Sequence, residues 1–361
     1  MARIVVGMSG GVDSSVAAAL LVEGGHEVIG ITLRTTPWEE PAAETTRFGS
    51  CCSPATARGA RAVARQLGIP YYLLNHEREF GELVIGDFVR EYGRGRTPSP
   101  CVVCNRDVKF GTLLRRALAW EADAVATGHY ARVDRDPASG RWGLGRAHDD
   151  TKDQTYFLWP LSQVQLARAM FPLGELTKAQ VRARARALGL ATAETPESQE
   201  LCFIAQADYR PFLRSRAPEA FRPGPILDEA GDELGIHAGL GAYTVGQRRG
   251  LGLAGPEPRY VIRLDPSRNA VVVGGGPALA VAGLIATEVN LIACEALDGP
   301  VAVEVRIRHN APLVAAVLRT RAPGEAEVRF AVPQRAVTPG QSVVFYRGET
   351  VLGGGVITAS A

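Results

Sequence analysis

The sequence predicts an α/β chain. A doubly wound parallel sheet comes first, followed by small central and C-terminal domains built of antiparallel, barrel-like β-structure. Three observations predict it. Short apolar strands alternate with helical patterns as far as Tyr130, the texture turns rich in Gly and Pro from about Phe203, and a period-two alternation takes over from about Ala270. The expected domains are residues 1–204, 205–270 and 271–361.

The elements follow in order. RIVVGM (3–8) is a short buried strand, and a Gly/Ser loop leads from it into a helix closed by Gly24 and Gly25. HEVIGITL (26–33) is the second strand. SPATARGARAVARQLGIP (53–70) is a helix with Ser53 as N-cap and Pro54 in its first turn. YYLLN (71–75) is the third strand. Residues 80–95 and 110–122 read as helices, and DAVATGHY (123–130) as a strand ending in a Gly-His loop. KAQVRARARALGL (178–190) is a helical tail. Beyond it, VAVEVRIRH, LVAAVLRT, EAEVRFAV and SVVFYRGETVLGGGVI alternate as antiparallel strands, with Arg347-Gly348-Glu349 as a tight hairpin turn. In a doubly wound sheet the site lies at the carboxyl ends of the strands, where Ser9, Cys101, Cys104, Gly128 and His129 all fall.

Composition narrows the function. The 361 residues carry a formal charge of only +2, so a polyanionic partner must be met by local patches. No apolar run approaches the ~20 residues of a membrane span, and a cytoplasmic protein is expected. Six cysteines are too few for a disulfide scaffold of this length and read as thiols, ligands or catalysts. Cys51 and Cys52 precede the 53–70 helix and read as structural, Cys294 as buried in the distal β-domain, and residues 36–50 as a mobile flap. The only lysines are Lys109, Lys152 and Lys178. Codon bias explains most of that scarcity, but a lysine that survives it stands where the planar fork of Arg will not serve.

Two motifs carry the chemistry. GMSGGVDSS (Gly7–Ser15), between strand and helix, is a phosphate cradle: glycines aim backbone N–H groups at an anion and the helix N-terminus adds positive charge. Without a lysine it is not a Walker loop. Ser9, Ser14 and Ser15 add hydroxyl donors, and Asp13 would help hold Mg²⁺. The second is GRTPSPCVVCNRDVKF (Gly95–Phe110). Its CxxC alone is ambiguous between a zinc half-site, a redox pair and iron–sulfur ligands, and no second CxxC exists. It reads as a turn at the mouth of the sheet rather than a helix, with Arg94, Arg96 and Arg106 around it to favour a thiolate.

SGGVDSS after an initial strand resembles the PP-loop of the ATP pyrophosphatases, which have an adenine nucleotide alpha hydrolase-like fold. That loop, the TPSPCVVCN stretch, ATGHY (126–130), KDQTYFL (152–158), LCFI (201–204), GQRRGLG (246–252), TPGQSVVFY (338–346) and LGGGVI (352–357) occur in one order. Together they resemble the tRNA-specific 2-thiouridylases over essentially the whole chain. The resemblance implies ATP-dependent 2-thiolation of the wobble uridine of tRNA: uracil O2 is adenylated with release of pyrophosphate, a persulfide sulfur attacks C2, and AMP departs. It implies ATP and Mg²⁺ as cofactors, and as partners tRNA (Lys, Glu and Gln species) and a sulfur donor such as a cysteine desulfurase or relay protein.

By position in the motifs, Cys104 matches the nucleophile and Cys202 the persulfide-bearing cysteine, a pair able to close to a disulfide after sulfur leaves. Gly7, Met8, Ser9, Gly10, Gly11, Val12, Asp13 and Ser14, with Leu33 and Gly128, match nucleotide contacts. Ser99, Pro100 and Cys101 match the segment that meets the target base. His129, Lys152, Asp153, Gln154, Arg308, His309 and Gln341 match tRNA-contacting positions, with His309 where the family carries Tyr. Cys101 departs from the Asp of many relatives, so Cys101, Cys104 and Cys202 would also suit an iron–sulfur cluster with one open iron. Other PP-loop enzymes fit less well. The NAD, GMP and argininosuccinate synthetases need no cysteines at the sheet mouth, 2-thiocytidine formation typically uses two CxxC pairs, and a non-catalytic tRNA binder has no need of the intact SGGVDSS.

Overall fold

The computed structural model describes residues 1–37, 53–196, 201–204, 208–255 and 257–361. The expectations for Cys51, Cys52 and most of the 36–50 flap lie outside these residues. Strand β1 (Arg3–Gly7) leads through the glycine loop into α1 (Val12–Glu23), and β2 (Glu27–Arg34) follows. Helix α2 (Pro54–Gln66) begins as its sequence dictates, with the Ser53 hydroxyl accepting from the Thr56 N–H at 3.2 Å. Then come β3 (Tyr71–Asn75), α3 (Glu77–Phe80), a π-helical stretch Gly81–Ile85, and α4 (Gly86–Gly93).

The CxxC stretch departs from expectation. Instead of a turn it is helical: α5 (Pro100–Val103) runs without a break through a π-helical segment, Cys104–Leu113, into α6 (Leu114–Ala119). Pro98 and Pro100 read as punctuation, but Pro100 opens the helix, where its missing N–H costs nothing. The wide π turns are braced from outside. The side-chain amide of Gln165 donates to the carbonyls of Arg106 (2.8 Å) and Phe110 (2.9 Å), and that of Asn105 donates to the Phe157 carbonyl.

After this helix come β4 (Ala124–Thr127), the hairpin β5 (Arg132–Arg135) and β6 (Trp142–Gly145), α7 (Gln163–Leu166), β7 (Ala169–Met170) and α8 (Lys178–Ala187). The parallel sheet has the order β3-β2-β1-β4-β7. The order reverses direction at β1, so the switch point lies between β1 and β4. Gly7 pairs with Thr127 there, which sets the loops that follow both strands side by side. Under them Ile4, Val6, Val16, Ala17, Val63 and Val181 form a fully buried core shared by sheet and helices.

The described chain divides into two compact units. One comprises residues 1–85, 101–207 and 349–351, and the other 86–100, 208–348 and 352–361. Residues 86–100 thus belong with the later part of the chain. Within the second unit, Phe88 and Tyr92 of α4 stack against Tyr209, with ring centroids 6.2 and 4.8 Å apart. The unit continues with α9 (Arg210–Arg216) and a four-stranded sheet: β8 (Gly224–Leu227), β9 (Glu233–His237), β10 (Tyr260–Asp265) and β11 (Ala270–Gly274). Its order is β10-β11-β8-β9, and the β8–β11 pairing is parallel where an all-antiparallel sheet was expected.

Six strands follow: β12 (Ala280–Leu291), β13 (Val301–Arg306), β14 (Val314–Ala322), β15 (Glu325–Arg335), β16 (Ser342–Arg347) and β17 (Thr350–Ser360). They run in the order β12-β15-β14-β13-β16-β17, and β17 pairs back with β12, closing an antiparallel barrel without edges. Cys294 is half-buried against its core rather than fully buried. Among the described residues no helix is long and apolar enough to cross a membrane.

Barrel stability rests on the inward residues. Leu318 is 0% exposed and its neighbour Val317 is 45% exposed. Leu318→Ala should cost about 2–5 kcal/mol in urea unfolding and Val317→Ala about 0.5 or less. Equal costs would mean that the barrel interior is not the packed side.

Candidate active site

The glycine loop forms a cradle at the α1 N-terminus, and its own side chains hold it in shape. Gly10 has φ +73°, and a Cβ there would lie 2.1 Å from the Thr56 carbonyl oxygen. Gly128 enters from the end of β4, where a Cβ would lie 2.6 Å from the Ser14 nitrogen. The backbones of the two loops therefore touch. The Ser14 hydroxyl accepts from the Ser9 N–H at 3.1 Å and donates to the Gly11 carbonyl at 3.2 Å. The Ser15 hydroxyl also donates to Gly11 O, at 2.9 Å. Both serines were expected to donate to a ligand; both are buried and serve the loop instead. The half-buried Ser9 hydroxyl lies 3.3 Å from that of Ser14, and the first N–H groups of α1 are left without partners within the helix. Leu33 is half-buried on β2, paired with Leu74.

Asp13 was expected to help hold Mg²⁺. Its carboxylate is already committed: Lys178 Nζ donates to both oxygens at 2.7 Å, and the Tyr130 hydroxyl donates to Oδ1 at 2.8 Å. So held, it does not fit a metal ligand, and no step is assigned to Mg²⁺. Lys178 is a side chain at this loop that the motifs missed, although the scarcity of lysine was a signal that could have found it.

Cys101 is exposed and Cys104 half-buried, one turn apart near the start of the α5–α6 helix, so they share a face. The arginines expected to charge this site are paired with carboxylates, three cations with two anions. Arg106 grips Asp107 through two bonds of 2.9 Å, while Arg94 and Arg96 both pair with Glu91, at 3.0 and 3.5 Å. Cys202 is half-buried, and its neighbour Phe203 packs edge-on against Phe80 of α3 at 5.8 Å. Among the described residues no three His, Cys, Asp or Glu side chains converge as a metal-binding group.

Several expected RNA contacts are turned inward. His129 is buried between Phe110 and Phe171, with Nδ1 2.6 Å from the Thr127 hydroxyl. Burial, aided by the Lys109 charge, drives its pKa well below the ordinary histidine value. Asp153 is 2% exposed and accepts from the Ala147 N–H and from the N–H and hydroxyl of Thr155. Gln154 exchanges two bonds with the Tyr130 backbone: its Oε1 accepts from Tyr130 N–H at 3.0 Å and its own N–H donates to Tyr130 O at 2.9 Å. Both shape the 147–155 loop around Lys152, which is half-buried. In the second unit, the Gln341 amide donates to the carbonyls of Thr97 (2.9 Å) and Pro98 (3.2 Å), just before the half-buried Ser99 and buried Pro100. Arg308 is exposed and His309 half-buried after β13.

Comparison with known proteins fits this picture along the whole length. Residues 2–206 match the family model of the tRNA methyl transferase HUP domain, 210–275 that of the tRNA methyl transferase PRC-barrel domain, and 281–357 that of the aminomethyltransferase beta-barrel domain. The tRNA-specific 2-thiouridylase MnmA of Symbiobacterium thermophilum is 50% identical over 359 residues, covering 98% of this chain and 92% of that protein. The proteins of the same name from Heliobacterium modesticaldum and Geobacter metallireducens are each 51% identical, covering 98% and 99% of this chain and 92% and 97% of their own lengths. Among solved structures, a 4-thiouridine synthetase–RNA complex with bound ATP aligns at a TM-score of 0.38 and 18% identity, over 60% of this chain and 51% of that one. That alignment is too loose to inform function.

The buried histidine sets a pH dependence. The native state keeps His129 neutral, whereas the unfolded chain takes up a proton below about pH 6.5. Its contribution is thus fully present above that pH and lost as pH falls. His76 and His237, also lowered by burial, add in the same direction. Unfolding free energy should fall between pH 7 and 5, and less steeply in His129→Asn, whose amide oxygen can still accept from Thr127. Parallel slopes in the two proteins would rule the buried imidazole out as a cause.

Proposed function

The chain belongs to the family of tRNA-specific 2-thiouridylases, and from that premise we propose that it converts the wobble uridine of tRNA to 2-thiouridine at the expense of ATP. The observation that carries this reading is identity of about half over 98–99% of the chain with proteins of that name. The cradle at the switch point of the sheet supplies the matching chemistry, an anion site for a triphosphate.

The reaction runs in two stages. The uracil O2 attacks the α-phosphate of ATP held on Gly7–Ser14, with Gly128 and Leu33 beside it, and pyrophosphate leaves. O2 is then part of an adenylate, a far better leaving group than oxide. The terminal sulfur of a Cys202 persulfide adds to C2, and AMP departs with the original oxygen. The Cys104 thiolate next attacks the inner sulfur, releasing the C2 thiocarbonyl and leaving a Cys104–Cys202 disulfide. A cellular thiol reductant returns both cysteines to thiols, and a cysteine desulfurase or relay protein reloads Cys202.

The target base leaves its stack to enter, since its O2 is out of reach within a paired or stacked strand. Ser99, Pro100 and Cys101 meet it, while Lys152, Arg308 and His309 take the backbone. His129, Asp153, Gln154 and Gln341 act on the RNA through the loops that they shape. The substrates are the Lys, Glu and Gln tRNAs, and the setting is the reducing cytoplasm.

Purified protein supplied with tRNA transcript, ATP and a persulfide donor should yield 2-thiouridine on nucleoside mass analysis, with pyrophosphate released. Cys202→Ser should lose thiolation by roughly 100-fold or more yet still release pyrophosphate in a single turnover. Thiolation surviving in both Cys104→Ser and Cys202→Ser would refute the persulfide relay.

A further inference from the structure

We propose that Lys178 is a positioning residue for ATP: it neutralises the Asp13 carboxylate so that the glycine loop can receive a polyanion. The inference rests on reading that loop as the ATP site.

The loop contains no lysine of its own, unlike a Walker loop. It does contain a carboxylate. Asp13 is the second residue of α1, inside the first turn whose N–H groups face the cradle. Left alone, that charge would repel incoming phosphates. Lys178 bonds both carboxylate oxygens at 2.7 Å, and its side chain is only 12% exposed, so solvent screens the pair weakly. Tyr130 fixes the same carboxylate through its hydroxyl, and the ammonium lies 5.8 Å from the centre of the Tyr130 ring.

The lysine is launched from a rigid point. It is the first residue of α8, whose start is locked by a reciprocal capping box between Thr177 and Gln180. Its own N–H donates to the Asp149 carboxylate at 2.9 Å. Asp149 belongs to the loop that Gln154 ties to Tyr130, so the 147–155 loop reaches Asp13 by two routes, through Tyr130 and through Lys178. The cation that completes the phosphate site thus comes from a helix some 165 residues further along the chain.

The test measures binding of ATP and of pyrophosphate, each with and without Mg²⁺, together with steady-state thiolation. Lys178→Met should weaken ATP and pyrophosphate binding about tenfold or more, raise the KM for ATP in step, and leave kcat at saturating ATP and the KM for tRNA within about threefold. Lys178→Arg should recover most of the affinity. The double variant Asp13→Asn/Lys178→Met, with both charges gone, should bind ATP several-fold more tightly than Lys178→Met. A merely structural lysine would not give that charge-specific rescue. If Lys178→Met fails to fold by circular dichroism, the double variant and Lys178→Arg still decide the matter. The proposal is overturned if Lys178→Met binds ATP as well as wild type, if it binds more tightly with Mg²⁺ (which would make Asp13 a metal ligand that the lysine masks), or if the double variant is no better than the single. Wild-type protein that neither binds ATP nor releases pyrophosphate would sink the ATP reading itself.

Discussion

The approach of Gly128 to the first turn of α1 is the constraint on which the site depends. Any side chain there would strike the Ser14 backbone at 2.6 Å. Because β1 and β4 are parallel neighbours in register at Gly7 and Thr127, both loops leave the sheet at one level. That register is a property of the core beneath, of Ile4 and Val6 packed on Val16 and Ala17. The cradle is thus the visible end of an apolar sheet. Its polar groups are spent in holding the loop, and the open N–H groups come from the backbone itself. A surface assembled this way loses little freedom when it binds an anion, since nothing in it must be ordered first.

Charge at the site follows a similar economy. The formal charge of +2 offers no broad attraction for tRNA. Arg106 is matched by Asp107, Arg94 and Arg96 share Glu91, and the lysine near the phosphate loop is matched by Asp13. Neutral pairs of this kind cost less to bring against a polyanion than lone carboxylates, and they do not hold it indiscriminately. Recognition is then left to shape and to a few exposed groups.

Much of this was legible in the sequence, because local chemistry decided it. The strand-loop-helix at Gly7–Ser15, the Ser53 cap, the alternating strands after Ala270 and the Gly348 turn are all set by residues close to one another. What was not legible depends on side chains arriving from far away. The CxxC helix runs through π turns braced by Gln165, some 55 residues on, and no helical period announces such a segment. Buried roles for His129 and Asp153 follow from Phe171 and Thr155 closing around them, which a motif of polar residues cannot reveal. The parallel β8–β11 pairing likewise joins strands that the alternating pattern treats as equivalent.

The second unit borrows part of its interior from upstream. Phe88 and Tyr92 fill its aromatic cluster with Tyr209 and Phe212, while Thr97 is bonded to Pro339 and to the Gln341 amide. A gene fragment beginning at Asp208 would therefore encode a body with holes in its own interior and loose carbonyl partners. Such a piece is not portable. It cannot be shuffled onto another enzyme, nor exchanged by recombination at a single crossover, without carrying a stretch of the catalytic half's coding sequence with it. Inheritance of the two halves is tied together by fifteen residues that lie in one half by sequence and in the other by packing.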